Sequence, residues 1–176
     1  MKKPTVLERE VLNPLLNTAR KSLERDFFII PFLLVQAKAP NPHLVPLDVL
    51  QKGEQRKNHL MQVGDAFRQH GQPIQAAVML TEIRIVHGHD VRTAQALSAD
   101  QIRDNQYAIH LIGRDADYTR LTHVVQPFVW LESKRAVWGE CLHAVYNEPV
   151  QTAGQPTGLL DYLFLAQEVN DYVSHQ

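Results

Sequence analysis

The sequence predicts an α+β fold: a central, largely antiparallel sheet of about five strands including a long hairpin, packed by N-terminal, middle and C-terminal helices. Three observations carry that expectation. Apolar residues recur at helical spacing near both ends and in the middle of the chain. Two short stretches, 27–36 and 76–86, are continuously apolar or alternate with period two. Residues 107–130 read as two strands about a polar turn near Asp115–Ala116–Asp117.

Each element follows in order. Over 5–25, Leu7, Val11, Leu15, Ala19 and Leu23 fall four apart, and Leu12 and Leu16 widen the stripe. Thr5 with Glu8 has capping-box spacing. Pro14 either kinks this helix or opens a second one capped by Asn13. The run "FFIIPFLLVQ" reads as a buried strand, with Pro31 at an edge or bulge. "AKAPNPHLVPLD" reads as an ordered loop. Residues 48–70 predict a helix with Leu60, Gly64 and Phe67 inward, Gln51, Glu54, Arg56 and Lys57 outward, and Gly71 and Pro73 at its end. In the next strand Ile83 and Ile85 alternate with Glu82 and Arg84. A loop over "HGHDVRTAQ" leads to a short helix capped by Ser98 with Gln101. A hairpin symmetric about Ala116 sets Tyr107, Ile109 and Leu111 against Val125, His123 and Leu121 on one face. His110, Ile112, Arg114, Tyr118, Arg120 and Thr122 take the other. "VWGECLHAVYNE" supplies a further strand, and Thr157 caps a last helix through Leu159, Leu160, Leu163, Phe164 and Gln167, with Tyr172 near its end.

Length and composition bound the function. A chain of 176 residues fits one domain, residues 1–176, with a core of its own. Hydrophobic residues make up 44%, charged residues 21%, and the net charge is −1, with no block of like charge. The electrostatic footprint of a nucleic-acid binder is therefore missing. The single cysteine, Cys141, cannot form a disulfide within the chain, which fits a reducing compartment. The start of the chain lacks the apolar stretch of a signal peptide, and "FFIIPFLLV" is too short for a membrane span. These features predict a cytoplasmic protein with no membrane association.

The stretch "RIVHGHD", residues 84–90, raises the question of chemistry. Histidines two apart on an extended chain point the same way, so His87 and His89 can share a metal ion with Asp90 beside them. The stretch resembles the His-x-His-x-Asp-His signature of metallo-β-lactamase-like enzymes, but Asp90, Val91 and Arg92 leave its second half absent. It is also similar to the His-x-His at a strand end in amidohydrolase-like enzymes, whose large barrel this chain is too short to form. Neither family is assigned. A turn explains the same residues, Gly88 supplying an unusual backbone angle and Asp90 satisfying backbone donors.

Glu82, Arg84 and Arg114 form a second constellation. A guanidinium grips a carboxylate or phosphate in two-pronged fashion, so the three residues are candidates for binding an anionic ligand. The plainer reading is a structural ion pair under a helix. Cys141 and His143 share a strand face, where a thiol–imidazole dyad or a buried free cysteine is expected. Asp115 and Asp117 fit hairpin-turn chemistry better than a magnesium site. His59 and His70 are eleven apart, not the three or four that a helical metal pair needs. No phosphate-binding glycine loop, nucleophile elbow or Cys-x-x-Cys pair occurs.

Both faces of 124–131 are largely apolar, and Trp130 and Trp138 lie close in sequence. Such a segment is either covered on both sides or meets another subunit. The sequence therefore points to a self-associating module, a homodimer, that binds a protein partner or small ligand without a recognisable reaction or cofactor. A small metal-dependent hydrolase centred on His87, His89 and Asp90 is the alternative. A nucleic-acid accessory role for Arg84, Arg114 and Arg120 ranks third.

Overall fold

The computed structural model describes residues 11–38, 40–48, 50–51, 53–85, 106–116, 121–146 and 158–168. Their order is α1 (Asn13–Asp26), β1 (Phe32–Ala37), β2 (His43–Pro46), α2 (Glu54–Gln69), β3 (Ile74–Ile85), β4 (Gln106–Asp115), β5 (Leu121–Trp130), β6 (Ala136–Trp138), β7 (Leu142–Tyr146) and α3 (Asp161–Glu168). The strands form an open, antiparallel, seven-stranded sheet in the order β2-β1-β3-β4-β5-β6, with β7 also paired to β5. The α+β class expected from the sequence is observed. The strands beyond the expected five come from β2, inside the proline-rich segment read as a loop, and from the split of 137–148 into β6 and β7.

The described residues divide into two compact units, and β3, β4, β5 and β7 contribute to both. The first unit takes α1, β3 from Thr81, β4 to His110, β5 from Val124, β6 and the start of β7. Of the four-residue stripe Ala19 and Leu23 are buried and Val11 and Leu15 half-buried, while the flanking Leu12 and Leu16 are buried. Leu12 is already helical (φ −67°, ψ −45°), so Asn13 is the first helical residue and not a side-chain cap. Pro14 sits in the first turn, where its missing N–H is not needed. The helix ends at Phe27, whose left-handed backbone (φ 64°) lets its N–H donate to the Leu23 carbonyl at 2.9 Å. The strand expected from residue 27 therefore begins only at Phe32, beyond Pro31, which has no N–H for a ladder. Phe27, Phe28 and Ile30 are left exposed.

The second unit holds β1, β2, the start of β3, the end of β4, the start of β5, the end of β7 and the helices α2 and α3. Its core joins Leu33 and Val35 of β1, Ala77 and Met79 of β3, Leu60 of α2, and Leu160, Leu163 and Phe164 at α3. Pairing sets Leu33 against Met79 and Val45, and Val35 against Ala77 and His43, so these side chains share one face. Burying each large side chain contributes roughly 1.5–3 kcal/mol. Gly64 lets α2 approach α3: a Cβ there would lie 2.1 Å from the Leu163 carbonyl oxygen. Gly71 ends the helical segment at φ +64°, as expected.

Two expectations about side chains are corrected. Arg56, read as solvent-facing, is buried, and its Nη2 donates to the Asp48 and Gln51 carbonyls at 2.6 and 3.0 Å. The turn before α2 needs those donors, and the arginine stem fills the space beneath it. On β5 the buried residues are Thr122, Val124, Gln126 and Phe128, whereas Leu121, His123 and Val125 are half-buried. A polar residue is tolerated on the deeper face because α1 supplies a partner for it.

Candidate functional site

In the first unit, the β5–β6 end of the sheet is built by a tight connection. The Leu131 N–H donates to the Arg135 carbonyl at 3.0 Å and the Lys134 N–H to the Leu131 carbonyl at 2.9 Å, with Lys134 left-handed at φ 58°. This connection sets Phe128 opposite Trp138, Val129 opposite Val137, and Trp130 opposite Ala136. Alternation then sorts the side chains. Phe128, Trp130, Ala136 and Trp138 share one face, where the Phe128 ring meets both indoles at 5.6 and 5.4 Å. Val129 and Val137 share the other.

The helix α1 is anchored to the tryptophan side by polar contacts. Gln126 is fully buried; its Oε1 accepts from Arg20 Nη2, and its Nε2 donates to the Gly139 and Pro127 carbonyls at 2.8 and 3.1 Å. The Arg20 guanidinium lies 5.6 Å from the Trp138 ring centre, and Trp138 Nε1 donates to Glu24 at 2.9 Å. Phe27 packs on Trp130 with ring centres 5.9 Å apart. On the opposite face Val129 and Val137 are 36% and 40% exposed, and Leu131, Leu142, Phe27 and Phe28 are exposed as well. This is an apolar surface held in place by the buried network beneath it.

Cys141 lies in the break between β6 and β7, its Sγ 3.4 Å from His143 Nε2. The expected juxtaposition of the two is present. Burial pushes the thiol up from its ordinary range, against a smaller opposing pull from Arg20. That direction favours the thiol over the thiolate.

Comparison with known families, curated proteins and solved structures gives no match.

The expected site residues fall out as follows. His87, His89 and Asp90 lie outside the described residues. Among the described residues, no group of three or more His, Cys, Asp or Glu side chains is placed to hold a metal. Glu82 is exposed on β3, and Arg84 lies on the same strand, its side chain outside the description. Arg114 has no exposed surface, and its Nε lies 3.0 Å from Asp161 Oδ1, itself nearly buried. The second Asp161 oxygen accepts the Gly158 N–H at 3.0 Å. An anionic ligand reaching Arg114 has to displace Asp161. Asp161 was missed as the partner because no local spacing links residues 114 and 161.

Among the described residues of the second unit lies a groove of about 250 Å³ lined by His43, Ala66, Phe67, His70 and Gln72. The His43 ring stands edge-on to Phe67 at 5.1 Å, and His70 Nδ1 lies 2.7 Å from the Ala66 carbonyl at the end of α2. The sequence signalled neither residue as a site. His43 sits in a stretch read as a loop, and only its pairing with Val35 turns it towards α2.

Proposed function

We propose that this chain is a binding module that self-associates as a homodimer and takes a protein partner or small ligand rather than catalysing a recognisable reaction. One observation carries the reading: the Val129–Val137 pair and its apolar neighbours stand exposed on a framework fixed by Gln126, Arg20 and Trp138. Rigid, exposed, apolar surface is what association needs, because little ordering entropy is then lost on binding. The near-zero net charge of −1 adds little repulsion between copies. The groove beside Phe67 is where a small ligand fits, being apolar with two imidazoles at hand.

Sedimentation equilibrium over a wide concentration range tests the reading. A reversible dimer is expected, weakened when Val129→Lys places a charge on the exposed face. A chain that stays monomeric at the highest concentration removes the proposal.

A further inference from the structure

We infer that the groove between β2 and the end of α2 binds a small, neutral aromatic molecule carrying a hydroxyl or ring N–H, whose hydrogen bond His70 Nε2 accepts. The inference rests on the small-ligand reading proposed above and names the class of ligand.

Strand pairing and the helix cap set the walls. β2 pairs with β1, which puts His43 opposite Val35, and the His43 ring stands edge-on to Phe67 with ring centres 5.1 Å apart. Phe67 is itself half-buried against the core of the second unit. The chain then turns at Gly71 (φ +64°), where the Gly71 and Gln72 N–H groups donate to the Arg68 and Phe67 carbonyls, each at 2.9 Å. The His70 N–H donates to the Ala66 carbonyl at 3.2 Å. The last carbonyls of α2 are thus engaged within the cap, so amide hydrogens rather than a bound cation cover the negative end of the helix.

Three features select the ligand. The first is charge. Among the described residues no lining side chain carries a fixed charge, so nothing in the wall compensates a phosphate, carboxylate or ammonium for lost hydration. The second is size and shape. An apolar cavity of about 150 Å³ holds one benzene ring, so a groove of about 250 Å³ takes one substituted ring or two fused ones. The Phe67 and His43 rings add stacked or edge-on contact to what burial contributes. The third is His70. Its Nδ1 lies 2.7 Å from the Ala66 carbonyl oxygen, which only accepts, so Nδ1 carries the proton. In the neutral imidazole Nε2 is then the acceptor, and ring geometry turns it away from that carbonyl. An acceptor in an apolar wall matches an O–H or N–H on the edge of an aromatic ring. A histidine anchored on a backbone carbonyl also suits a metal. A zinc site, however, takes three or four protein ligands. Among the described residues no third His, Cys, Asp or Glu joins His43 and His70 in such a group.

Amide correlation spectra of the full chain, titrated separately with phenol, toluene, benzoate and zinc chloride, test this. Phenol is expected to shift the amides of His43 and of residues 66–72 saturably, and benzoate to bind at least about tenfold more weakly. His70→Phe keeps a ring in the wall and removes the acceptor, while the backbone N–H of residue 70 still caps Ala66. It is expected to weaken phenol roughly 5- to 10-fold and to leave toluene within about twofold. In the unmodified chain phenol, but not toluene, is expected to move the His70 Nε2 nitrogen resonance upfield, as a hydrogen bond to an unprotonated ring nitrogen does; this reading decides alone should the variant lose its fold. An unmoved Nε2 resonance with phenol bound, equal weakening of phenol and toluene, or benzoate bound as tightly as phenol overturns the ligand class and leaves the groove a small-ligand site. Zinc that shifts His43 and His70 while phenol shifts neither overturns it in favour of a metal site. No saturable shift with any probe overturns the inference and the small-ligand reading together, and leaves self-association standing.

Discussion

Gln126 shows how a single polar side chain can organise an apolar surface. It has no exposure, and three groups depend on it: the Arg20 guanidinium and the carbonyls of Pro127 and Gly139. Replacing it by Met takes this partner from the Arg20 guanidinium and the Gly139 carbonyl, while the Pro127 carbonyl keeps the Gly139 N–H, and an unsatisfied buried polar group costs about 1–3 kcal/mol. Gln126→Met is therefore expected to lower the unfolding free energy by about that amount in urea titrations. Arg20→Met in the same chain is expected to cost less than it does in the wild type, because the two residues are one unit. Strict additivity in that double-mutant cycle argues against the network. Cys141 offers a pH-dependent readout at the same scale. Burial raises its pKa and Arg20 opposes the rise, so the thiolate fraction near neutrality is below that of a free cysteine. The pH profile of iodoacetamide alkylation is expected to be displaced to higher pH than that of a cysteine peptide, and further still in Arg20→Met. A profile displaced to lower pH contradicts this. Nothing in the spacing of residues 20 and 126 announces their contact, whereas the proximity of Cys141 and His143 was legible because strand alternation is a local rule.

The helices of the second unit are held by one close approach and one buried charge pair. Gly64→Ala raises intrinsic helix propensity by about 1 kcal/mol. Its new methyl, however, meets the Leu163 carbonyl at 2.1 Å, and that carbonyl belongs to backbone and cannot rotate away. Overpacking is expected to win, with a net loss of roughly 2 kcal/mol in chemical denaturation. A stabilised variant shows that α2 and α3 are not in contact at this glycine. For Arg114 and Asp161, removing one charge takes from the other an opposite charge held in a buried pair: Asp161→Asn is expected to destabilise by about 3–5 kcal/mol. Arg114→Met with Asp161→Leu, which removes both, is expected to recover most of that loss. A double variant as unstable as Asp161→Asn gives the pair a role beyond mutual neutralisation. The sequence showed helices at these positions because a stripe such as Leu60, Gly64 and Phe67 is read from spacing alone. It misjudged Arg56 and Phe27, since a buried arginine serving carbonyls and a phenylalanine in a left-handed cap are fixed by the neighbouring turn rather than by residue type. It missed β2 because the ladder with β1, not local preference, makes that proline-rich segment a strand.

At the scale of the molecule, the fold class was legible because alternation and helical period are repeated in every element and agree with one another. Function was not, since the exposed apolar side chains were distinguishable from core residues only once the sheet order and the register of β5 with β6 were known. Self-association then makes a thermodynamic prediction that needs no substitution. If folding and dimerisation are coupled, mass action ties stability to concentration. Each tenfold rise in protein adds about 1.4 kcal/mol per dimer, or about 0.7 kcal/mol per chain. For a chain of this length, 1 kcal/mol moves the melting midpoint by roughly 2–4 °C. The midpoint is therefore expected to climb by about 1–3 °C per decade of concentration. The same climb is expected to shrink in Val129→Lys, whose dimer is weakened. A midpoint independent of concentration in the unmodified protein means that its exposed apolar residues face solvent in the native state, and that the module binds a different chain or none.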